Sequence, residues 1–63
     1  MQSYMVEVMS GDVVTSHQVA VAETPSKAAI AVTGRAVQDW RQEMLWIRVT
    51  NQADWTVYKF AVK

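Results

Sequence analysis

Cysteine is missing from this chain, which removes disulfides, zinc–thiolate sites and thiol chemistry together. Histidine occurs once, at His17, and a lone histidine without cysteine makes no metal site, so neither metal nor cofactor is expected. The two glycines, Gly11 and Gly34, stand apart and form no glycine-rich phosphate loop. Apolar runs are short: the longest strongly apolar one, Ala28 to Val32, falls far below the ~20 residues of a membrane helix. The start of the chain shows neither the basic nor the apolar region of a signal peptide, and a cytoplasmic location is expected.

A chain of 63 residues has room for one core. At this size only about 60% of the unfolded surface is buried, and with disulfides and metals gone, self-association is the aid to stability left beside good packing. Hydrophobic residues make up 51% of the chain, more than a disordered sequence carries. Net charge is zero but unevenly spread. Residues 1–24 hold Glu7, Asp12 and Glu23 with no Lys or Arg, while residues 25–63 hold six basic against three acidic side chains, a division of −3 and +3. Such a dipolar chain suits a protein partner of mixed charge, or head-to-tail self-association, better than duplex DNA.

The pattern predicts one α+β domain over residues 1–63: a hairpin (3–22), a helix (25–41) and a second hairpin (44–62), in ββαββ order. The four strands form an antiparallel sheet with the helix packed on one face. In the first hairpin a Gly11-Asp12 turn pairs Val8 with Thr15, Val6 with His17 and Tyr4 with Val19. A turn at Ser10-Gly11 shifts the partners but keeps the same two faces. Thr24 is an N-cap and Pro25 suits the first helical position. Ala29, Ile30, Thr33, Ala36, Val37 and Trp40 then recur at helical spacing, and Gly34, costing roughly 1 kcal/mol, reads first as a solvent-side defect and second as a point of close approach to the sheet or a partner. In the second hairpin a loop at Asn51 to Asp54 pairs Val49 with Thr56, Ile47 with Tyr58 and Leu45 with Phe60.

The expected core is Tyr4, Val6, Val8, Val19, Val21, Leu45, Ile47, Val49, Tyr58, Phe60 and Val62, closed by Ile30, Val37 and Trp40. The uncovered face then shows Met5, Met9, Trp46, Trp55 and Val57, interleaved with Glu7, Arg48 and Lys59. A contiguous apolar patch marks a binding surface more strongly than scattered residues do. Met adapts its shape, and Trp and Arg are enriched at interface hot spots. Trp46, Trp55, Met5, Met9 and Val57 are therefore candidate anchors, with Arg48, Lys59 and Arg35 orienting the partner. The blander reading is that the tryptophans merely brace the sheet, Trp46 lying beside the stem of Lys59.

Catalysis is not expected. His17 has no sequence partner for acid–base work and reads as a half-buried strand residue, while Arg35, Asp39 and Glu43 read as a solvated ion-pair face of the helix. A sheet presenting Trp46, Trp55, Arg48 and Lys59 is also a candidate surface for single-stranded nucleic acid. Neither an RNP-like motif nor a basic excess accompanies it.

The run Val19-Ala20-Val21-Ala22-Glu23-Thr24-Pro25-Ser26-Lys27-Ala28-Ala29, strand into capped helix, resembles small phage and mobile-element proteins. The hairpin–helix–hairpin plan, with the closing Trp55-Thr56-Val57-Tyr58-Lys59-Phe60, is similar in layout to small anti-CRISPR proteins of the type I class. That resemblance implies a stoichiometric inhibitor or adaptor in the host cytoplasm, docking on a host complex. It transfers no site residue. The leading expectation is a non-enzymatic protein-interaction module, with a single-stranded nucleic-acid binder and a homodimeric module as the alternatives.

Overall fold

Alternating β-formers on either side of Gly11-Asp12 fold into a hairpin in the computed structural model, which describes residues 1–63: β1 spans Gln2–Ser10 and β2 Val13–Ala22. Gly11, at φ 59°, supplies the positive dihedral that a two-residue turn demands, and Ser10 pairs with Val13 as expected. The register then slips. Met9 pairs with Val14 but Val8 pairs with Ser16, so Thr15 is an extra residue, a β-bulge, and its hydroxyl donates to the Val8 carbonyl at 3.0 Å. One inserted residue exchanges the two faces of everything beyond it. Tyr4 therefore faces Ala20 rather than Val19, and the expected placement of Val19 and Val21 in the core is wrong; both are exposed.

The helix α1 starts where its caps predict, with the Thr24 hydroxyl accepting from the Lys27 N–H, but it spans only Pro25–Thr33 and not 25–41. Gly34 stops it. At φ 71° this residue is in the left-handed region, and its N–H bonds the Ile30 carbonyl at 2.7 Å, closing the last turn. The glycine is thus a C-cap and not a defect within a longer helix. The residues assigned to the second half of that helix form a fifth strand, β3 (Val37–Asp39), so the sheet has five strands where four were expected.

The second hairpin comprises β4 (Leu45–Asn51) and β5 (Val57–Val62). Its register differs from the expected one by two residues: Ile47 pairs with Phe60 and Val49 with Tyr58. An even shift leaves the faces intact. All neighbours are antiparallel in the order β2-β1-β4-β5-β3, which places β2 and β3 at the edges.

The helix side of the sheet carries the core of Tyr4, Val6, Ala22, Ala28, Ala29, Ile47 and Val49, flanked by Ala20, Val32, Val37, Phe60 and Val62. Small residues at Ala20, Ala22, Ala28 and Ala29 are what a helix lying close to β2 requires. The short helix leaves part of that side uncovered. Leu45, opposite Ser10, is 65% exposed, and Ile30 and Tyr58, both expected inside, stand partly in solvent. Asn51, the one buried polar side chain, ends β4: its amide donates to the Gln2 side-chain carbonyl and its own carbonyl accepts the Ala53 N–H at 2.8 Å.

Because a Cβ at position 34 would meet no atom within 4 Å, the effect of Gly34→Ala is purely conformational. It should destabilise the protein by about 1–2 kcal/mol, whereas a glycine inside a helix would respond to the same change with a gain of about 1 kcal/mol. The sign of the shift in thermal midpoint decides between the two roles.

Candidate functional site

The pairing of β2, β1, β4 and β5 orders the face away from the helix into cross-strand rows, because directly opposed residues of antiparallel strands share a face. One row runs Val14, Met9, Trp46. The next is polar and charged: His17, Glu7, Arg48, Lys59. Beyond it lies Val19, Met5, Thr50, Val57, and then Val21 beside Ser3.

The first row is sealed from Met9 onward and open at Val14. Met9 and Trp46 are buried, contrary to their expected place on an open face, and so is Ala61. The lid is Trp40, which was expected in the core under a longer helix. With the helix ended at Gly34, the chain passes through β3 and its N–H at Trp40 bonds the Lys59 carbonyl at 3.3 Å. The Trp40 ring then meets Trp46 with centroids 5.4 Å apart. Lys59 Nζ lies 4.8 Å from the Trp40 centroid and 5.6 Å from that of Trp46, a cation held over two π faces. The indole N–H of Trp46 donates to the Gly11 carbonyl at 2.8 Å, and that of Trp40 to the Glu43 carbonyl at 3.2 Å. The Gly11 N–H in turn bonds the Met44 carbonyl at 2.8 Å, so the Trp40–Met44 loop is stapled to the first hairpin. This is a small second core.

Arg48 and Glu7 form a two-point ion pair, Nε to Oε1 at 2.9 Å and a terminal nitrogen to Oε2 at 3.0 Å. The hydrogen bonds from Arg48 hold the Glu7 carboxyl below its usual range against the opposing effect of partial burial, and raise Arg48 in the same exchange. In the far loop the Asp54 carboxyl is likewise lowered, by hydrogen bonding to Thr56. The expected ion-pair face of Arg35, Asp39 and Glu43 does not form. Asp39 is in β3, and the Glu43 carboxylate accepts the Arg41 N–H at 2.7 Å. His17 is exposed and not half-buried.

The apolar row behaves differently. Val19 and Val57 are about half exposed, Met5 lies half-buried between them, and Val21 is open. Trp55, 70% exposed, stands in the loop before β5 at φ 62°, an uncommon dihedral for a bulky residue. It is not a sheet residue. The length of β4 alone sets it roughly 17 Å from Trp46, so the two tryptophans form no common platform.

No family model, curated protein or solved structure matches this chain.

Of the eight candidate binding residues, Met5 and Val57 share the accessible row and Arg48 borders it beside Lys59. Met9 and Trp46 are internal, Trp55 lies past the end of the sheet, and Arg35 follows the helix cap on another side. Val19 and Val21 join the accessible surface unforeseen, since nothing in the sequence marks the bulge that turns them outward. No cavity opens on the surface, and no three His, Asp or Glu side chains converge as metal ligands would. No helix is long and apolar enough to cross a membrane.

The two tryptophans should therefore separate by mutation. Trp46→Ala removes a buried ring and should cost about 3–5 kcal/mol, much of what a domain this small possesses, while Trp55→Ala should stay within about 0.5 kcal/mol of the parent; urea denaturation measures both. The lowered Glu7 carboxyl makes a pH-dependent contribution. That contribution is complete above the ordinary value of 4.5 and lost as pH falls through the lower folded value. The stability gap between the parent and Glu7→Gln should accordingly close on acidification below that point. A gap independent of pH would remove the ion pair from the account.

Proposed function

We propose that this protein is a non-enzymatic protein-interaction module acting by occupancy, and that it meets its partner with the accessible end of its helix-free sheet face. The observation that carries the reading is the row Val19, Met5, Thr50 and Val57, two half-exposed valines flanking the partly buried Met5 and Thr50 across four strands beside the Glu7–Arg48 pair. Backbone pairing holds these side chains rigidly, so little ordering entropy is lost on docking. Trp55, exposed at the same end of the sheet, adds an aromatic anchor of the kind that dominates interface energies. Arg48 and Lys59 flank the strip and orient an acidic or mixed-charge surface. Met9, Trp46 and Trp40 act beneath and beside it as a brace.

The single-stranded nucleic-acid reading is disfavoured by the same geometry. Stacking needs an open ring, yet Trp46 is covered and Trp55 is remote from it. The partner class, a host complex met by a phage-borne inhibitor or adaptor, comes from the resemblance drawn on the sequence to small type I anti-CRISPR proteins, whose hairpin–helix–hairpin plan this fold departs from by adding β3.

A tagged chain used to capture partners from bacterial lysate tests the surface. Val57→Lys and Trp55→Ala should each weaken capture by roughly thirtyfold, the loss of a hot-spot contact of about 2 kcal/mol. Ala31→Lys, on the exposed side of the helix, should leave capture unchanged. Equal capture by all three variants would refute the proposed face.

A further inference from the structure

We propose that a second copy of this chain pairs with the outer edge of β2, antiparallel and across a two-fold axis normal to the sheet, giving a continuous ten-stranded sheet. β2 is ten residues long, lies at the edge of the sheet and is exposed along nearly all its length. An edge strand presents a row of unpaired N–H and C=O groups, which proteins ordinarily protect with lysine, proline, inward charges or a covering element. Here protection is slight. Val13–Ala22 contains no Asp, Glu, Lys, Arg or Pro, and the helix meets the strand at Ala20 and Ala22 while the other eight residues stay exposed. The bulge at Thr15 interrupts only the end nearest the turn.

The absence of charge is also what makes the strand compatible with itself. Antiparallel self-pairing of a charged strand sets like charges close together, and this one has none to oppose. To keep the two helices on one side, residues of equal parity must face each other, so the axis passes midway between one residue and its own copy. The uninterrupted segment Ser16–Ala22 pairs completely with itself in one register only, centred on Val19. Val19 then faces its own copy, and His17 faces Val21 of the other chain. On the helix side, Gln18 meets Ala20 and Ser16 meets Ala22, so no two bulky side chains collide.

The other edge explains why assembly ends at two. β3 is three residues long, too short to template a further chain. A two-fold pairing consumes the only long edge and closes as a dimer, where a head-to-tail contact would grow a filament. It also lends a chain of 63 residues the stabilisation that it cannot draw from disulfides. The exposed row would run unbroken from Val57 of one copy through both Val19 residues to Val57 of the other. This inference stands on the strand edge alone and does not need the proposed partner.

Sedimentation of the full chain over a micromolar-to-millimolar series tests it. The parent should pass from monomer to dimer. Val19→Lys should remain a monomer at concentrations where the parent is dimeric, with its circular dichroism unchanged. If that variant fails to fold, Val19→Glu alone, which likewise sets like charges face to face at the axis, should show the same loss. Mixing Val19→Lys with Val19→Glu should restore the dimer, because opposite charges then meet at the axis. Val57→Lys, on the same face but two strands further in than β1, should dimerise like the parent even where it loses partner capture, so the two proposals fail separately. A parent that is monomeric throughout overturns the inference. So does a dimer that survives Val19→Lys, or one lost in Val57→Lys alone.

Discussion

The left-handed turn at Gly34 ends the helix after nine residues, and both sides of the sheet are arranged around that early stop. Nine residues of helix extend about 14 Å, whereas five strands span about 19 Å between the axes of the outer two. A helix of that length cannot cover the sheet. It lies closest to the edge strand β2, where alanines on both elements meet, and Leu45 at the end of the central strand and Tyr58 on β5 stay in contact with water. The chain released at Gly34 is free to add β3 and to carry Trp40 round to the opposite face.

That return builds the second core. Met9 and Trp46 would be stranded on a bare sheet face without Trp40 and the Trp40–Met44 loop. The indole hydrogen bonds to the Gly11 and Glu43 carbonyls fasten the cover, and Lys59 completes it with its charge over both rings. Two modest apolar clusters on opposite sides of one sheet replace the single core expected of so short a chain. The arrangement divides the helix-free face in two. One end is closed and structural, and the other is left with an apolar row and an exposed tryptophan, which is where a binding role is proposed.

The Glu7–Arg48 pair lies at the division between them. Partly exposed, it adds modestly to stability, but it holds two charged side chains flat between the closed and open rows. The −3 and +3 halves of the sequence meet here, with an acidic residue of the first hairpin bonded across the β1–β4 ladder to a basic one of the second.

Much of this was legible in the residues themselves, because the physics involved is local. The Gly11-Asp12 turn, the Thr24-Pro25 helix start and the alternating faces of β4 and β5 each follow from a few adjacent side chains and survive even a two-residue error in register. The α+β class follows from them in turn. What only the tertiary structure decided was set by contacts distant in sequence. Whether Gly34 interrupts a helix or ends it depends on whether Val37–Asp39 finds β5 to pair with, and which face Val19 takes depends on a bulge that lets Ala20 and Ala22 lie under the helix. Trp40 and Trp46 look like one core residue and one surface anchor until the chain folds back and brings their rings into tilted contact, since a ring carries no mark of which side of a sheet will bury it.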